Sequence, residues 1–250
     1  RGKAIGFYNS AITLGFAIGP LFIGIFGTQG TFPIVIAILL MIIRTPVMIA
    51  IKNEVNNVKI PKLEKKLNFS FFKIAPFIFI AIFVSGVIDS SFGALFPAYM
   101  INEFFSDREI GYMFFVGMFI GVIFQPIVGT LTDNISKRLM IIIFLIFHLI
   151  WPILLNNFIA NSLIIYFSVI IWGIASISLY TVTLAYLGER IKINELSIAT
   201  SVFIIIFEFG EFIGPITIGL IMETYGNIGF IYSLLIFTFI SLFVGVIRTF

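Results

Sequence analysis

Runs of about twenty apolar residues constrain this chain more than any other feature of its sequence. A helix rises about 1.5 Å per residue, so such a run crosses a hydrocarbon layer of about 30 Å. Backbone groups in that layer meet no water and must bond within their own segment, and residues 141–150 lack the alternation of a membrane strand. Hydrophobic residues make up 60% of the chain and charged residues 11%. The sequence therefore predicts an all-α, polytopic transmembrane helix bundle.

Eight membrane-spanning helices are predicted from these runs. They cover residues 4–26, 32–51, 74–101, 110–132, 139–155, 162–187, 197–222 and 228–247. The polar segment 52–73, which holds six lysines, lies between the second and third spans. We therefore predict that residues 1–51 end an N-terminal helix bundle, that 52–73 form a cytoplasmic linker, and that 74–250 form a six-helix C-terminal bundle.

The distribution of Lys and Arg predicts the orientation of these helices. Thirteen of the 15 basic residues fall at one set of helix ends or in the linker, Arg108 falls at the opposite ends, and Arg44 falls within a span. Because basic residues remain on the cytoplasmic side, both termini and the linker are predicted to be cytoplasmic. The cell membrane, that is the inner or cytoplasmic membrane, is the expected location of this multi-pass chain.

An internal repeat links the first and seventh spans. The segment from Gly15 to Gly24 matches the segment from Gly210 to Gly219 at six of ten positions, including Pro20 and Pro215. Both copies begin on the predicted cytoplasmic side, as in transporters with parallel halves. Two spans precede the linker and six follow it, so equal halves imply four N-terminal helices of the same protein that this chain lacks. The alternative is a chance recurrence of Gly-Pro in membrane helices.

Two motifs resemble those of the major facilitator superfamily. The glycine pattern of the first span resembles the fifth-helix motif of proton-coupled exporters in that family, with Ile23 in place of one expected glycine; it comprises Gly6, Gly15, Gly19, Pro20 and Gly24. The second motif resembles the cytoplasmic loop between helices eight and nine, and its matching residues are Gly129, Asp133, Lys137 and Arg138. The resemblance covers the chain as helices five to twelve of twelve.

These motif residues, together with Gly210, Gly214 and Pro215, are expected to serve conformational change. Glycines on one side of the first helix would allow a neighbouring helix to approach closely, and Pro20 would bend that helix. Static packing is the alternative. Asp133 with Lys137 and Arg138 could form a latch, a contact made in one conformation and broken in the other. The alternative is that these bases only fix the orientation.

Three acidic residues lie within predicted spans. An ionised carboxylate at that depth is costly, so Asp89 is expected to face a cavity, where it would carry protons; a structural hydrogen bond is the alternative. Glu208 and Glu211 share a helix face, which suits proton coupling or cation binding. Alternatively, one pairs with a base and the other reaches the interface. Gln125 and Tyr180 are candidate substrate contacts, whereas Trp151 and Trp172 are interpreted as packing or interface residues.

These observations favour a secondary transporter that moves a small organic solute by alternating access, with proton-coupled export ahead of proton-coupled uptake. The expected partners are the lipid bilayer, the solute, protons and the absent N-terminal helices, and no nucleic acid. The single His148 and the absence of cysteine argue against a metal site, a cofactor and a membrane enzyme. A non-transporting receptor or scaffold is the remaining alternative.

The orientation can be tested by cysteine labelling, because the chain contains no cysteine. Lys62→Cys and Arg190→Cys should react with a membrane-impermeant maleimide from the same side of sealed vesicles. Arg108→Cys should react only from the other side, since it lies at the opposite set of helix ends. Labelling of Lys62→Cys and Arg190→Cys from opposite sides would contradict the predicted alternation.

Overall fold

A computed structural model describes residues 2–55 and 76–247, and these residues form eight α-helices. The helices are α1 Gly2–Phe26, α2 Phe32–Val55, α3 Pro76–Asn102, α4 Asp107–Asn134, α5 Lys137–Asn157, α6 Ser162–Arg190, α7 Ile193–Tyr225 and α8 Asn227–Ile247. Each corresponds to one predicted span. The all-α, membrane-type architecture is therefore confirmed. The predicted linker lies mostly outside the described residues, and so does the start of the third predicted span.

Seven of these helices are long and apolar enough to cross a membrane. In α2 the apolar helical stretch is the shorter segment Phe32–Pro46. Several helices extend beyond the predicted apolar cores because polar end residues continue the helical turns. At the start of α4, for example, Ser106 and Glu109 form a capping box in which each side chain bonds the other's backbone N–H group.

Helix ends that were predicted to share a side of the membrane contact each other. Lys137 at the start of α5 pairs with Glu189 near the end of α6 at 3.0 Å. At the other ends, Asn102 of α3 donates a hydrogen bond to Asn227 of α8, and Thr28 after α1 donates one to Asp107 of α4. Successive helices therefore run in alternating directions through the bundle.

Glycines set the distances between two helix pairs: α1 with α4, which run antiparallel, and α3 with α7, which run parallel. Along α1 and α4, a Cβ added at Gly6 would lie 2.6 Å from the Gln125 carbonyl oxygen, and one at Gly111 would lie 2.6 Å from the Gly24 nitrogen. Along α3 and α7, a Cβ at Gly214 would lie 2.6 Å from the Val87 carbonyl oxygen. Close backbone approach of this kind increases the van der Waals contact between the helices. This contact matters in a membrane, because lipid is as apolar as the helices and gives no hydrophobic driving force for their association.

An aromatic cluster fills the core beside these pairs. Phe92 of α3 stacks on Trp172 of α6 with ring centroids 3.6 Å apart, and it meets the Trp151 ring of α5 edge-on at 5.5 Å. All three side chains are buried. This cluster fixes the position of α6 relative to α3.

We predict that Gly210→Ala destabilises the protein by about 1–3 kcal/mol, because its Cβ would overlap the Phe83 carbonyl oxygen of α3. Gly219→Ala on the same helix is the matched control, since its Cβ would meet only Leu95 at 3.8 Å. Thermal unfolding in detergent should give a lower Tm for Gly210→Ala alone. Equal Tm values for the two variants would show that this helix contact does not limit stability.

Candidate functional site

A cavity of about 510 Å³ lies between α1, α3, α4, α6 and α7. Its polar side chains are Tyr8, Asn9, Thr13, Asp89, Gln125, Ser176, Tyr180, Glu208 and Glu211. Its apolar side chains are Ile12, Phe16, Met118, Trp172, Ile177 and Phe207. A volume of this size accommodates a small organic molecule.

The glycine contact between α3 and α7 brings three carboxyl groups to this cavity. Gly86, one turn before Asp89, packs against the backbone of Phe207 and Glu211. Glu211 lies close enough to Asp89 and Glu208 for their charges to interact. Asp89 of α3, which is far away in sequence, thus joins the neighbouring pair Glu208 and Glu211 of α7 in one cluster on the cavity wall.

Asp89 is the most enclosed of the three acids. Its Oδ2 accepts a hydrogen bond from the Ser85 hydroxyl at 3.3 Å. Its buried Oδ1 has no hydrogen-bond partner of regular geometry within residues 2–55 and 76–247. The buried hydroxyl of Ser176 on α6 lies beside this carboxyl group, within reach of a hydrogen bond to it. Hydroxyl groups of α3 and α6 thus surround Asp89.

Negative charge is not balanced on the cavity wall. Among the described residues that line it there are three carboxyl groups and no Lys, Arg or His. Repulsion among these carboxyl groups is relieved when a proton or another cation binds between them.

A polar network joins α1 to α4 and α6 at the edge of the cavity. Asn9 donates a hydrogen bond from Nδ2 to the Thr181 hydroxyl at 2.8 Å, and that hydroxyl donates to Gln125 Oε1 at 2.6 Å. Gln125 Nε2 donates to the Ile177 carbonyl oxygen at 2.9 Å. Asn9 and Gln125 are almost fully buried. Their amide groups are therefore engaged by the protein itself.

Aromatic rings make up much of the remaining wall. Tyr180 packs edge-on against Phe207 with ring centroids 5.1 Å apart, and Trp172 is held by its stack on Phe92. Tyr180 is also near enough to Glu208 and Glu211 to interact with their charges. The cavity thus combines a carboxylate cluster with rigid aromatic surfaces.

The structure brings together all five residues that the sequence indicated as binding candidates, because Asp89, Gln125, Tyr180, Glu208 and Glu211 line the one cavity. Their roles remain predictions. Sequence reasoning did not identify Tyr8, Asn9 and Ser176, and it interpreted Trp172 only as packing, whereas Trp172 also lines the cavity. Of these residues, Asn9 could have been noticed in the sequence, because it is a lone amide in an apolar helix.

The expectation that the four glycines of α1 lie mostly on one side of the helix is wrong, because only two of them face α4. Gly6 and Gly24 are eighteen residues apart, which is five full turns, so both face α4. Gly15 lies half a turn away from that face, and a Cβ at Gly15 or Gly19 would meet no described atom within 4 Å. In α7, by contrast, Gly210 and Gly214 both pack on α3 as small residues should at a helix contact. Pro20 and Pro215 lie inside α1 and α7.

The loop motif lies at the junction of α4 and α5, with Gly129 buried and Asp133 exposed in α4. Lys137 pairs with Glu189 of α6, and Arg138 donates a hydrogen bond to the Gly245 carbonyl oxygen of α8 at 2.7 Å. These contacts tie α5 to its neighbours in the bundle.

His148 is buried away from the cavity. No cluster of three His, Cys, Asp or Glu that could hold a metal ion occurs among the residues whose positions are described.

Comparison with known proteins gives a consistent result. The family model described as Major Facilitator Superfamily matches residues 78–250. An uncharacterized MFS-type transporter of Methanocaldococcus jannaschii is 25% identical over 236 residues, which are 90% of this chain and 60% of that protein. Similar uncharacterized MFS-type transporters occur in Enterobacter sp. (strain 638), with 24% identity over 61% of this chain and 41% of that protein, and in Yersinia enterocolitica, with 26% identity over 58% and 37%. The chain thus spans about two-fifths to three-fifths of the length of these relatives.

We predict that Thr181→Val weakens the contact of α1 with α6, because it leaves Asn9 Nδ2 and Gln125 Oε1 without their partner. The expected loss is about 1–3 kcal/mol, or a few degrees in Tm. Thr183→Val is the matched control on the same helix, since the Thr183 hydroxyl donates only to carbonyl groups of Leu179 and Tyr180 in α6. A Tm loss no larger than that of Thr183→Val would exclude a stabilising role for the network.

Proposed function

This chain belongs to the major facilitator superfamily, and on that basis we propose that it is the larger part of a secondary transporter that couples proton movement to the export of a small organic solute. Members of the family are membrane transporters and not enzymes. The chain is accordingly a multi-pass membrane protein. The observation that carries the finer proposal is the cluster of Asp89, Glu208 and Glu211 on one cavity.

The proposed coupling follows from the electrostatics of that cluster. Carboxyl groups held away from bulk water are costly when ionised and unpaired, so a proton or a cationic species is favoured beside them. A change in their protonation changes the relative free energy of conformations that expose them differently. Proton binding on one side and release on the other would then drive the solute through the same cavity.

Alternating access requires a seam along which helix bundles move. In the proposed division, α1 and α2 belong to an N-terminal bundle and α3 to α8 form the C-terminal bundle. The glycine contact of α1 with α4 and the hydrogen bond from Asn9 to Thr181 would then lie on the seam between the bundles. The preference for export over uptake rests on the glycine motif of α1 alone. The proposed cytoplasmic location of both termini rests on a different observation, the distribution of basic residues.

The loop motif is proposed to bias this movement from the cytoplasmic side. In this conformation Lys137 and Arg138 hold α5 against α6 and α8. These are partly exposed contacts of modest energy, so a change of partner during the transport cycle would cost little. We propose that Asp133 takes part in that exchange.

The proposal can be tested in proteoliposomes that contain the full-length protein and a trapped pH-sensitive dye. Solutes from three classes (amines, carboxylates and neutral sugars) are added under an imposed pH gradient. We expect at least one of them to dissipate the gradient through the wild-type protein. The triple variant Asp89→Asn, Glu208→Gln and Glu211→Gln should lose this activity, because it removes every carboxyl group of the cavity wall.

Glu223→Gln is the control for this experiment, since Glu223 lies on α7, as Glu208 does, but outside the cavity. Its coupled flux should equal that of the wild type. Coupled flux that persists at the wild-type rate in the triple variant would remove these acids from the coupling mechanism. If no solute of any class causes the wild-type protein to dissipate the gradient, that result would contradict proton-coupled transport itself.

A further inference from the structure

We propose that the contact between α5 and α8 encloses bound water, held by His148, Trp151 and Ser233. None of these residues lines the cavity, so the inference is independent of the proposed transport function. It depends on three observations: the side chains are buried in the middle of the bundle, they lie at one level of two neighbouring helices, and their polar atoms lack partners among the described residues.

All three side chains are closed off from the surroundings of the bundle. His148 and Trp151 are 0% exposed, and Ser233 is 3% exposed. His148 lies near the middle of α5, a helix that is long and apolar enough to cross the membrane. At that depth a polar side chain is far from bulk water, so it must find a partner inside the protein.

A ring contact between the helices places the three residues at one level. The Trp151 ring of α5 meets the Phe230 ring of α8 edge-on, with centroids 6.4 Å apart. The start of α5 contacts the end of α8, so the two helices run in opposite directions. His148 lies one turn before Trp151, and Ser233 lies one turn after Phe230. In antiparallel helices these two steps lead toward the same side of the membrane.

Four polar atoms of these residues have no hydrogen-bond partner within residues 2–55 and 76–247: Nδ1 and Nε2 of His148, Nε1 of Trp151 and Oγ of Ser233. Thr238 shows the usual arrangement for a hydroxyl group in a membrane helix, because it donates to the Leu234 carbonyl oxygen one turn earlier at 2.8 Å. Ser233 makes no such bond. Buried polar groups are costly when unpaired, so four of them at one level indicate a bound species that pairs them.

The chemistry of these atoms selects a small neutral molecule that both donates and accepts hydrogen bonds. A neutral imidazole has one N–H donor and one acceptor nitrogen, and the indole N–H group of Trp151 only donates. A cation cannot accept from the indole, and an anion without a proton cannot donate to the imidazole. Among the described residues no group of three His, Cys, Asp or Glu could hold a metal ion. Water both donates and accepts, and a buried water molecule typically makes about three hydrogen bonds.

The water links α5 to α8 in the middle of the bundle. Trp151 Nε1 donates to the water oxygen, and the water donates to the acceptor nitrogen of His148 and to Ser233 Oγ. The second imidazole nitrogen points the opposite way and is paired by a further water molecule of the same cluster. The hydrogen bond from Arg138 to the Gly245 carbonyl oxygen links the same two helices at their ends.

The first test asks whether water lies beside these buried rings in the folded wild-type protein. Hydroxyl radicals produced by X-ray radiolysis of water react close to where they form, so a buried ring is oxidised when water is bound next to it. Oxidation of His148 and Trp151 is measured by mass spectrometry on the full-length protein in detergent. Each rate is divided by the rate of the same residue in the denatured protein.

Phe96 is the matched control, because its ring is fully buried and packs on the rings of Phe92 and Phe114. We expect His148 and Trp151 to be protected from oxidation several-fold less than Phe96, although all three are equally enclosed. Protection of His148 and Trp151 equal to that of Phe96 would overturn the proposal. This measurement needs no variant, so it decides the question even if a substitution prevents folding.

A double-mutant cycle then tests whether His148 and Ser233 share the water. His148→Phe and Ser233→Ala each remove one side of the bridge, so the second substitution has less to lose once the first is present. The loss of Tm in the double variant should be about 2–4 °C smaller than the sum of the single losses.

Ser241→Ala is the control for this cycle, since Ser241 is another buried hydroxyl group of α8 without a partner in the described structure, two turns beyond Ser233. Its effect on Tm should add to that of His148→Phe. Additive losses for His148→Phe and Ser233→Ala, as for this control, would overturn the shared site.

Discussion

The close contact of α3 with α7 determines where the chemistry of this protein lies. Gly86, Gly210 and Gly214 remove the side chains that would keep the two backbones apart, and the helices meet near the depth of Asp89. Without this contact the acids on α3 and α7 would be separated by a layer of apolar side chains. A packing requirement of membrane helices, close approach through small residues, thereby also assembles the charged cluster.

The cavity balances two opposing effects. Burial in a helix bundle disfavours a carboxylate, most of all the enclosed Asp89, while clustering concentrates a negative potential that attracts cations. A soluble protein could relieve the first effect by exposing the acids to water, but an apolar bundle leaves only hydroxyl groups, water in the cavity or a bound cation. The Ser85 hydroxyl donates a hydrogen bond to one oxygen of Asp89, and the Ser176 hydroxyl lies beside the same carboxyl group. Two neutral hydroxyl groups, and no basic side chain among the described cavity residues, therefore surround this acid.

Most of the fold could be predicted from the sequence because membrane thickness fixes helix length. The acids of the cavity could also be found, since Asp89, Glu208 and Glu211 stand out in apolar helices. The partner of Asn9 could not be predicted, because Thr181 is 172 residues away and only the tertiary packing of α1 against α6 brings the two together. The glycines of α1 show a related limit: their spacing resembles a known motif, yet the phase of the helix places Gly15 and Gly24 on different faces.

The hydrogen bond from Asn9 to Thr181 also makes hydration part of the energetics of opening. In the proposed alternating-access movement, α1 would separate from α6, the buried amide and hydroxyl groups would lose each other, and water that enters the gap would be the substitute partner. Helix separation and wetting of this edge of the cavity would therefore occur together. A dry cavity edge would favour the closed contact, and a wet one would reduce the cost of breaking it.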